Sequence, residues 1–207
     1  MIDWIVKAVV ILFAITIHEY AHGRVSLSLG DPTALYAGRL TLNPLKHIDP
    51  IGMCCLFIFN FGWARPVPIN PMYFKRIRRD MVLISLSGPF SNLLSALIGG
   101  ILIRSISSGP QILVKFLLYF VIINVGLGLF NLIPIPPLDG SHVVESLIPE
   151  RWRDNYLKVV RFGPILLILI IFSDYIFNIK ILDIILLKPI WLMVKFLVGD
   201  NIFIHLF

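Results

Sequence analysis

The chain contains 207 residues, of which 57% are hydrophobic and 14% are charged, and it carries a formal net charge of +6. Soluble domains carry about 25% charged residues, so this composition excludes an ordinary soluble domain and predicts one integral-membrane domain over residues 1–207. We interpret the excess of Lys and Arg as cytoplasmic loops of a membrane protein, and it does not indicate nucleic-acid binding.

The first predicted element is a helix over residues 4–29, which ends where Gly30-Asp31-Pro32 disfavours helix continuation. This stretch is apolar and long enough to cross a hydrocarbon core of about 30 Å. We expect it to remain as a membrane span and not to be removed as a signal peptide, because Met1-Ile2-Asp3 supplies no basic start.

The first helix contains the sequence His18-Glu19-Tyr20-Ala21-His22. Residues four apart lie on one face of a helix, so His18 and His22 can present two imidazole nitrogens to one metal ion, with Glu19 beside them as a general base. Ionisable groups inside the hydrocarbon are costly and are usually functional. The pattern is typical of zinc metalloproteases, and the alternative is a polar cluster between packed helices.

The segment after the first helix differs from the spans. Residues 33–36 and 39–42 flank Ala37-Gly38 and predict two short strands around a turn. Residues 51–63 are apolar but too short to cross the membrane, which indicates a re-entrant or shallow segment. The prolines within residues 63–71 exclude a helix there and predict an extended segment.

Two further full spans are predicted at residues 81–103 and 111–132, and the second of these ends at Pro134-Ile135-Pro136-Pro137. Residues 159–173 predict a weaker span. Residues 181–198 form a last apolar stretch, whose lysines favour a position in the membrane interface.

These elements predict an α-helical polytopic membrane protein with a three-helix catalytic core (about residues 4–145), accessory C-terminal helices (about residues 146–207) and a small membrane-associated β-hairpin or sheet after the first helix.

Seven Lys or Arg lie between residues 30 and 80 and three between 134 and 158, but only one in the 104–110 loop. Positive residues favour the cytoplasm, so we expect the N-terminus outside and the candidate metal ligands toward the cytoplasmic face.

A catalytic zinc ion usually has three protein ligands and one open position. The best candidate for the third ligand is Asp139, because it follows a helix end broken by prolines and because Gly140 allows a tight turn. The alternative is that Asp139 only caps the next helix. His142 and Glu145 are rival ligands, one and two turns beyond the break.

Three motifs together resemble the site-2 protease family of intramembrane zinc metalloproteases. They are the His-Glu-x-x-His of residues 18–22, the Gly-x-x-x-Asn of residues 88–92 and the Asn-x-x-Pro-x-Pro-x-Leu-Asp-Gly of residues 131–140. The resemblance covers at least residues 10–145. It is closest to the compact bacterial and archaeal members without a PDZ or CBS domain, which implies a location in the plasma (inner) membrane and a membrane-inserted sheet after the first core helix.

The resemblance also implies a cofactor and a catalytic set. One Zn²⁺ per chain is expected on His18, His22 and Asp139, with Glu19 as the catalytic base. Asn131 is expected near the metal, where it can stabilise the oxyanion of the tetrahedral intermediate. The implied reaction is hydrolysis of peptide bonds in or near transmembrane segments.

The expected partners are a transmembrane protein substrate and the lipid bilayer. Peptide groups in a substrate helix are hydrogen-bonded, so the helix must unwind locally before cleavage. The segment Ala64–Asn70, with Pro66, Val67 and Pro68 as candidate contacts, can offer replacement hydrogen bonds as an edge strand, and the alternative is an ordinary proline-rich connector. Asn92 either contacts the substrate or joins packed helices by hydrogen bonds.

Two alternatives come from other functional classes: a non-enzymatic metal-binding membrane protein and a pseudo-protease that binds helices without cutting them. A transporter would more often show two related halves, and the sequence has no internal repeat. The intact His18, Glu19, His22 and Asp139 oppose the pseudo-protease.

Overall fold

The computed structural model describes residues 2–59, 62–106, 110–173 and 180–199, and most of these residues are helical. The helices are α1 (Ile2–Ser28), α2 (Thr33–Tyr36), α3 (Pro50–Phe59), α4 (Ile77–Ser105), α5 (Gln111–Asn131), α6 (Asp139–Leu147), α7 (Glu150–Val160), α8 (Gly163–Ile171) and α9 (Lys188–Val198). Short 3-10 turns lie at Pro44–Lys46 and Pro71–Tyr73, and a π-helical turn at Asp183–Leu187 precedes α9.

Three of the described helices, α1, α4 and α5, are long and apolar enough to cross a membrane. They correspond to the three predicted spans. Helix α4 begins at Ile77, four residues before the predicted boundary, and includes Arg78 and Arg79. Its 29 residues rise about 43 Å, which exceeds a hydrocarbon core of about 30 Å, so a basic first turn can project beyond the apolar layer.

Helix α4 is the central element, and α1, α5, α6 and α9 all pack against it. Two glycines on α4 allow close approach of its neighbours. A Cβ at Gly99 would lie 2.9 Å from Cδ1 of Phe120 on α5, and a Cβ at Gly100 would lie 2.9 Å from the backbone oxygen of Leu197 on α9. Small residues at helix contacts permit this packing inside a membrane. The described C-terminal helix α9 is thus integrated with the core helices.

The two strands predicted at residues 33–36 and 39–42 are wrong. The Asp31 carboxylate accepts hydrogen bonds from the backbone N–H (2.9 Å) and the hydroxyl of Thr33, and the chain turns into the short helix α2. Gly38 then adopts a φ of +64° in the following turn. Local side-chain hydrogen bonds of this kind compete directly with strand formation, and here they favour the helix over the predicted strand.

The predicted β-hairpin or sheet is not found in the described part of the chain, where strand pairing is limited to an isolated antiparallel bridge between Ile48 and Ala64. Two other predictions for this region agree with the structure. Helix α3 has ten residues, about 15 Å of rise, and is too short to span. The chain from Trp63 to Asn70 contains no helix, as its prolines require.

The span predicted at residues 159–173 is not one continuous helix. Helix α7 ends at Val160 and α8 begins at Gly163. A Cβ at Gly163 would lie 2.7 Å from the backbone oxygen of Pro136, so the glycine lets this break pack against the proline-rich turn after α5. The nine residues of α8 rise about 14 Å, which is about half of the hydrocarbon core.

Candidate metal centre

Three predicted ligands lie together where the middle of α1 meets the start of α6. The two Nε2 atoms of His18 and His22 are 3.0 Å apart. Asp139 Oδ2 lies 3.1 Å from His18 Nε2 and 3.3 Å from His22 Nε2. Both imidazoles are buried and the carboxylate is largely so, with 18% of its side chain exposed.

Asp139 reaches this cluster because the chain reverses sharply after α5. A Cβ at Gly140 would lie 2.3 Å from the backbone oxygen of Leu132, so only glycine lets the start of α6 return to the end of α5. The N-cap position of α6 is occupied by Leu138, without a side-chain cap. Asp139 is the first residue inside the helix, so the alternative role of N-cap does not describe its position.

The two rival ligands lie elsewhere. His142 Nδ1 and Glu145 Oε2 are 3.7 Å apart and form a pair one turn along α6. Their side chains are 48% and 30% exposed. Neither belongs to the group of donor atoms formed by His18, His22 and Asp139.

Hydrogen bonds on the far side of each imidazole determine which nitrogen faces the cluster. His22 Nδ1 lies 2.7 Å from the backbone oxygen of Ile84, which can only accept, so this nitrogen carries the proton. His18 Nδ1 lies 2.6 Å from Asn92 Oδ1, which is also an acceptor. With Nδ1 bonded in this way, a neutral ring directs the lone pair of its Nε2 toward the other imidazole and the Asp139 carboxylate, as metal binding requires.

Three such atoms repel one another unless a cation lies between them. Asp139 Oδ2 is in addition buried and without a well-formed hydrogen bond. Nitrogen and oxygen ligands bind zinc at about 2.0–2.1 Å in a tetrahedron, which places ligand atoms about 3.3 Å from one another. The separations of 3.0–3.3 Å match this arrangement, so the residues present fit a zinc ion.

Helix α4 contacts the imidazoles of the cluster through Gly88 and Asn92, which lie one turn apart. A Cβ at Gly88 would lie 2.4 Å from His22 Nε2 and 2.7 Å from His18 Cε1, so the imidazoles occupy the space of a missing side chain. Asn92 is fully buried and bonds to His18 on α1 and to Asn124 on α5. This geometry favours the helix-joining alternative for Asn92 over a substrate contact.

Glu19 lies beside the cluster and contacts the extended segment. Its Oε2 accepts a hydrogen bond of 2.9 Å from the backbone N–H of Val67. Because Pro66 and Pro68 have no N–H, Val67 offers the sole backbone donor of this tripeptide. Glu19 is not among the three residues whose donor atoms form the metal cluster.

The extended segment is anchored on both sides of Val67. Arg39 Nη2 donates to the backbone oxygen of Arg65 at 2.6 Å, and the backbone N–H of Asn70 donates to Asp31 Oδ2 at 2.8 Å.

Burial by itself raises the pKa of Asp31, but hydrogen bonds, those from Thr33 and Asn70 foremost, outweigh it and hold the pKa below its ordinary value. Asp31 thus remains a charged anchor at the end of the segment.

Asn131 lies in the last turn of α5, and its Nδ2 donates to the backbone oxygen of Leu127 at 3.0 Å. Among the described contacts none joins Asn131 to the cluster. Its role at the oxyanion stays a prediction.

Three residues at the site escaped the sequence analysis: Asn124, Asp31 and Arg39. Asn124 had a readable signal, because a carboxamide in the middle of an apolar span is expected to hydrogen-bond to another helix. Asp31 and Arg39 lie in a loop that resembles any polar turn, and their contacts with residues 65–70 depend on the fold.

The comparisons with known proteins agree with this chemistry. The model of peptidase family M50 matches residues 98–171. "Putative zinc metalloprotease YwhC" of Bacillus subtilis is 39% identical over 170 residues, covering 78% of each chain. "Putative zinc metalloprotease Rip2" of Mycolicibacterium smegmatis is 30% identical over 150 residues, which are 69% of this chain and 57% of that protein. "Protease RseP" of Yersinia pestis is 35% identical over 113 residues, 49% of this chain and 22% of the relative. No solved structure matches the chain.

Proposed function

The chain belongs to peptidase family M50, the zinc metalloproteases of the site-2 protease type, and from this premise we infer that it hydrolyses peptide bonds in or next to transmembrane segments of membrane proteins. The observation that carries the proposal is the cluster of His18, His22 and Asp139 at the junction of α1 and α6. We propose residues 4–145 as the catalytic core and residues 146–207 as an accessory part of the same domain.

In this proposal Nε2 of His18, Nε2 of His22 and Oδ2 of Asp139 hold the zinc ion. Zinc supplies Lewis acidity, which lowers the pKa of water toward about 7 and polarises a peptide carbonyl. The bonds from Nδ1 of the two histidines to Asn92 and Ile84 keep the rings oriented for this task.

Glu19 is the proposed general base and acid. Its Oε2 is engaged by the Val67 N–H, so proton transfer falls to Oε1. Oε1 accepts a proton from the attacking water and later returns it to the amine that leaves the cleaved peptide. Asn131 is proposed to donate a hydrogen bond to the oxyanion from the N–H that Leu127 does not use.

The substrate is proposed to bind along the extended segment and the apolar cavity beside it. Pro66 and Pro68 lack an N–H and the Val67 N–H is bonded to Glu19, so this tripeptide can offer substrate only its carbonyl oxygens. A cavity of about 370 Å³ adjoins it, lined almost entirely by apolar side chains, among them Ile15 of α1 and Phe130 of α5. Such a cavity fits apolar side chains of an unwound transmembrane segment.

The zinc assignment predicts a specific loss of metal. Asp139→Asn keeps the shape of the side chain but removes its negative charge, so the purified protein in detergent should lose most of its zinc, and cleavage of a model transmembrane substrate should fall with it. The matched control is His142→Asn on the same helix, which should retain zinc. Full zinc content in Asp139→Asn together with loss of zinc in His142→Asn would identify His142 as the third ligand.

The orientation in the membrane is a second proposal, with the N-terminus outside and the metal cluster toward the cytoplasm. In a chain whose two natural cysteines, Cys54 and Cys55, are replaced, cysteines at Lys75 or Arg153 should react with an impermeant maleimide only from the cytoplasmic side. A cysteine at Gln111 should react only from outside, because the basic loops are retained in the cytoplasm. The opposite labelling pattern would place the N-terminus in the cytoplasm and the metal cluster toward the outside.

A further inference from the structure

We infer that Asn124 on α5 is a positioning residue for the reaction, because it helps to set the direction of a buried chain of hydrogen bonds that ends at the imidazole of His18. The inference rests on the proposed function, since it concerns how His18 is prepared to bind zinc. Asn124 is fully buried and makes no contact with the metal cluster itself.

The chain of hydrogen bonds crosses three helices. His18 Nδ1 on α1 lies 2.6 Å from Asn92 Oδ1 on α4. Asn92 Nδ2 donates to Asn124 Oδ1 at 2.9 Å and to the backbone oxygen of Ala14 at 3.0 Å. Asn124 Nδ2 in turn donates to the backbone oxygen of Phe120 at 2.9 Å.

The two backbone oxygens give this chain its polarity. A carbonyl oxygen can only accept, so Phe120 requires the nitrogen of the Asn124 carboxamide on its side and leaves Oδ1 to face Asn92. The Asn124 oxygen and the Ala14 oxygen then both require Nδ2 of Asn92, which turns Asn92 Oδ1 toward His18.

An acceptor at that position favours the tautomer of His18 with its proton on Nδ1 and a free lone pair on Nε2. The opposite tautomer would place the proton on Nε2, where Asp139 Oδ2 lies 3.1 Å away, and the ring could then not bind a metal ion through that nitrogen. Both carboxamides are fully buried, so in the described structure an inverted Asn92 would set oxygen against oxygen. Asn124 therefore acts on zinc through Asn92 and His18.

The inference can be tested with two variants of nearly equal shape. Asn124→Leu removes the acceptor, whereas Asn124→Asp keeps an oxygen toward Asn92 and, as a buried neutral acid, a hydroxyl toward the Phe120 oxygen. We expect zinc affinity of Asn124→Leu to fall about 10- to 100-fold, as for other residues that orient metal-bound histidines. Asn124→Asp should retain more of the affinity than Asn124→Leu. The absorption spectrum of the cobalt-substituted protein should change in Asn124→Leu, because it reports the geometry of the ligands.

Val121→Ala on the same helix is the control for packing. Val121 is fully buried and apolar, so this variant should lower the melting temperature but leave zinc affinity and the cobalt spectrum unchanged. Wild-type zinc affinity in Asn124→Leu, or an equal loss in Val121→Ala, would overturn the inference. If Asn124→Leu does not fold, the test rests on Asn124→Asp. The inference would then be overturned if Asn124→Asp bound zinc no more tightly than Asp139→Asn. Failure of the wild-type protein to bind zinc would instead refute the proposed function.

Discussion

Replacing Gly88 by alanine is expected to abolish zinc binding and proteolysis. The added Cβ would lie 2.4 Å from Nε2 of His22, 2.6 Å from its Cε1 and 2.7 Å from Cε1 of His18. These distances are well below van der Waals contact, and the atoms in the way are the ligand nitrogen and its neighbours, so relief of the clash must displace the metal site. A displacement of about 1 Å at a reacting centre costs about 100-fold in rate, and loss of the metal costs more.

The effect is measured as zinc content and cleavage rate of the purified variant, with circular dichroism to confirm that the helices have formed. Gly126→Ala is the matched control for zinc content, because a Cβ there meets only Cδ1 of Ile190 at an ordinary 3.6 Å. This control should keep its zinc. A Gly88→Ala protein with a full complement of zinc would show that the imidazoles do not occupy the described position.

Replacing Glu19 by glutamine is expected to separate metal binding from catalysis. The glutamine carbonyl can still accept the hydrogen bond from Val67, so the extended segment and the fold should persist, and zinc content should match the wild type. Cleavage should fall by about 10²–10⁴-fold, because an amide cannot accept the proton of water or return it to the amine. The variant should also retain uncut substrate, which co-purification with a tagged transmembrane substrate would detect.

Glu145→Gln supplies the comparison for this experiment. Glu145 is the next glutamate along the chain after Glu19 and pairs with His142 away from the cluster, so its replacement should leave the cleavage rate within experimental error. Cleavage by Glu19→Gln at the wild-type rate would refute the assignment of the base. Equal losses of zinc and cleavage in Glu19→Gln would indicate that Glu19 supports the metal and does not act as the base.

The sequence predicts two of the three metal ligands more directly than the third. His18 and His22 are four residues apart in a helix, and helical geometry alone brings four-residue neighbours to one face. Asp139 is 117 residues beyond His22, and residue chemistry left it undecided between ligand and helix cap. Its place came from the resemblance of the whole motif, and the structure places it within 3.3 Å of both imidazoles.

Two predicted elements differ from the structure, for different physical reasons. Residues 33–42 suggest two strands around Ala37-Gly38, but Asp31 binds Thr33 and the segment turns into a helix. Residues 159–173 are mostly apolar, but a break at Gly163 packs on Pro136. At Thr33 a local side-chain hydrogen bond, and at Gly163 a contact with a distant turn, outweighed the propensity of the segment.

The composition and the motifs of the chain are enough to indicate the kind of protein and the chemistry of its metal site. Its apolar spans require helices, because backbone groups in lipid must bond within the segment, and the His-Glu-x-x-His spacing puts two imidazoles on one helix face, where they can bind one metal ion. Which nitrogen of each histidine is free to bind a metal ion depends instead on how the helices pack. The deciding acceptors, Ile84 and Asn92, are 62 and 74 residues from their histidines, and their approach depends on how α4 crosses α1. A local pattern of residues does not encode that crossing, since it depends on a close approach of the two helices, which Gly88 allows because it has no side chain where both rings lie.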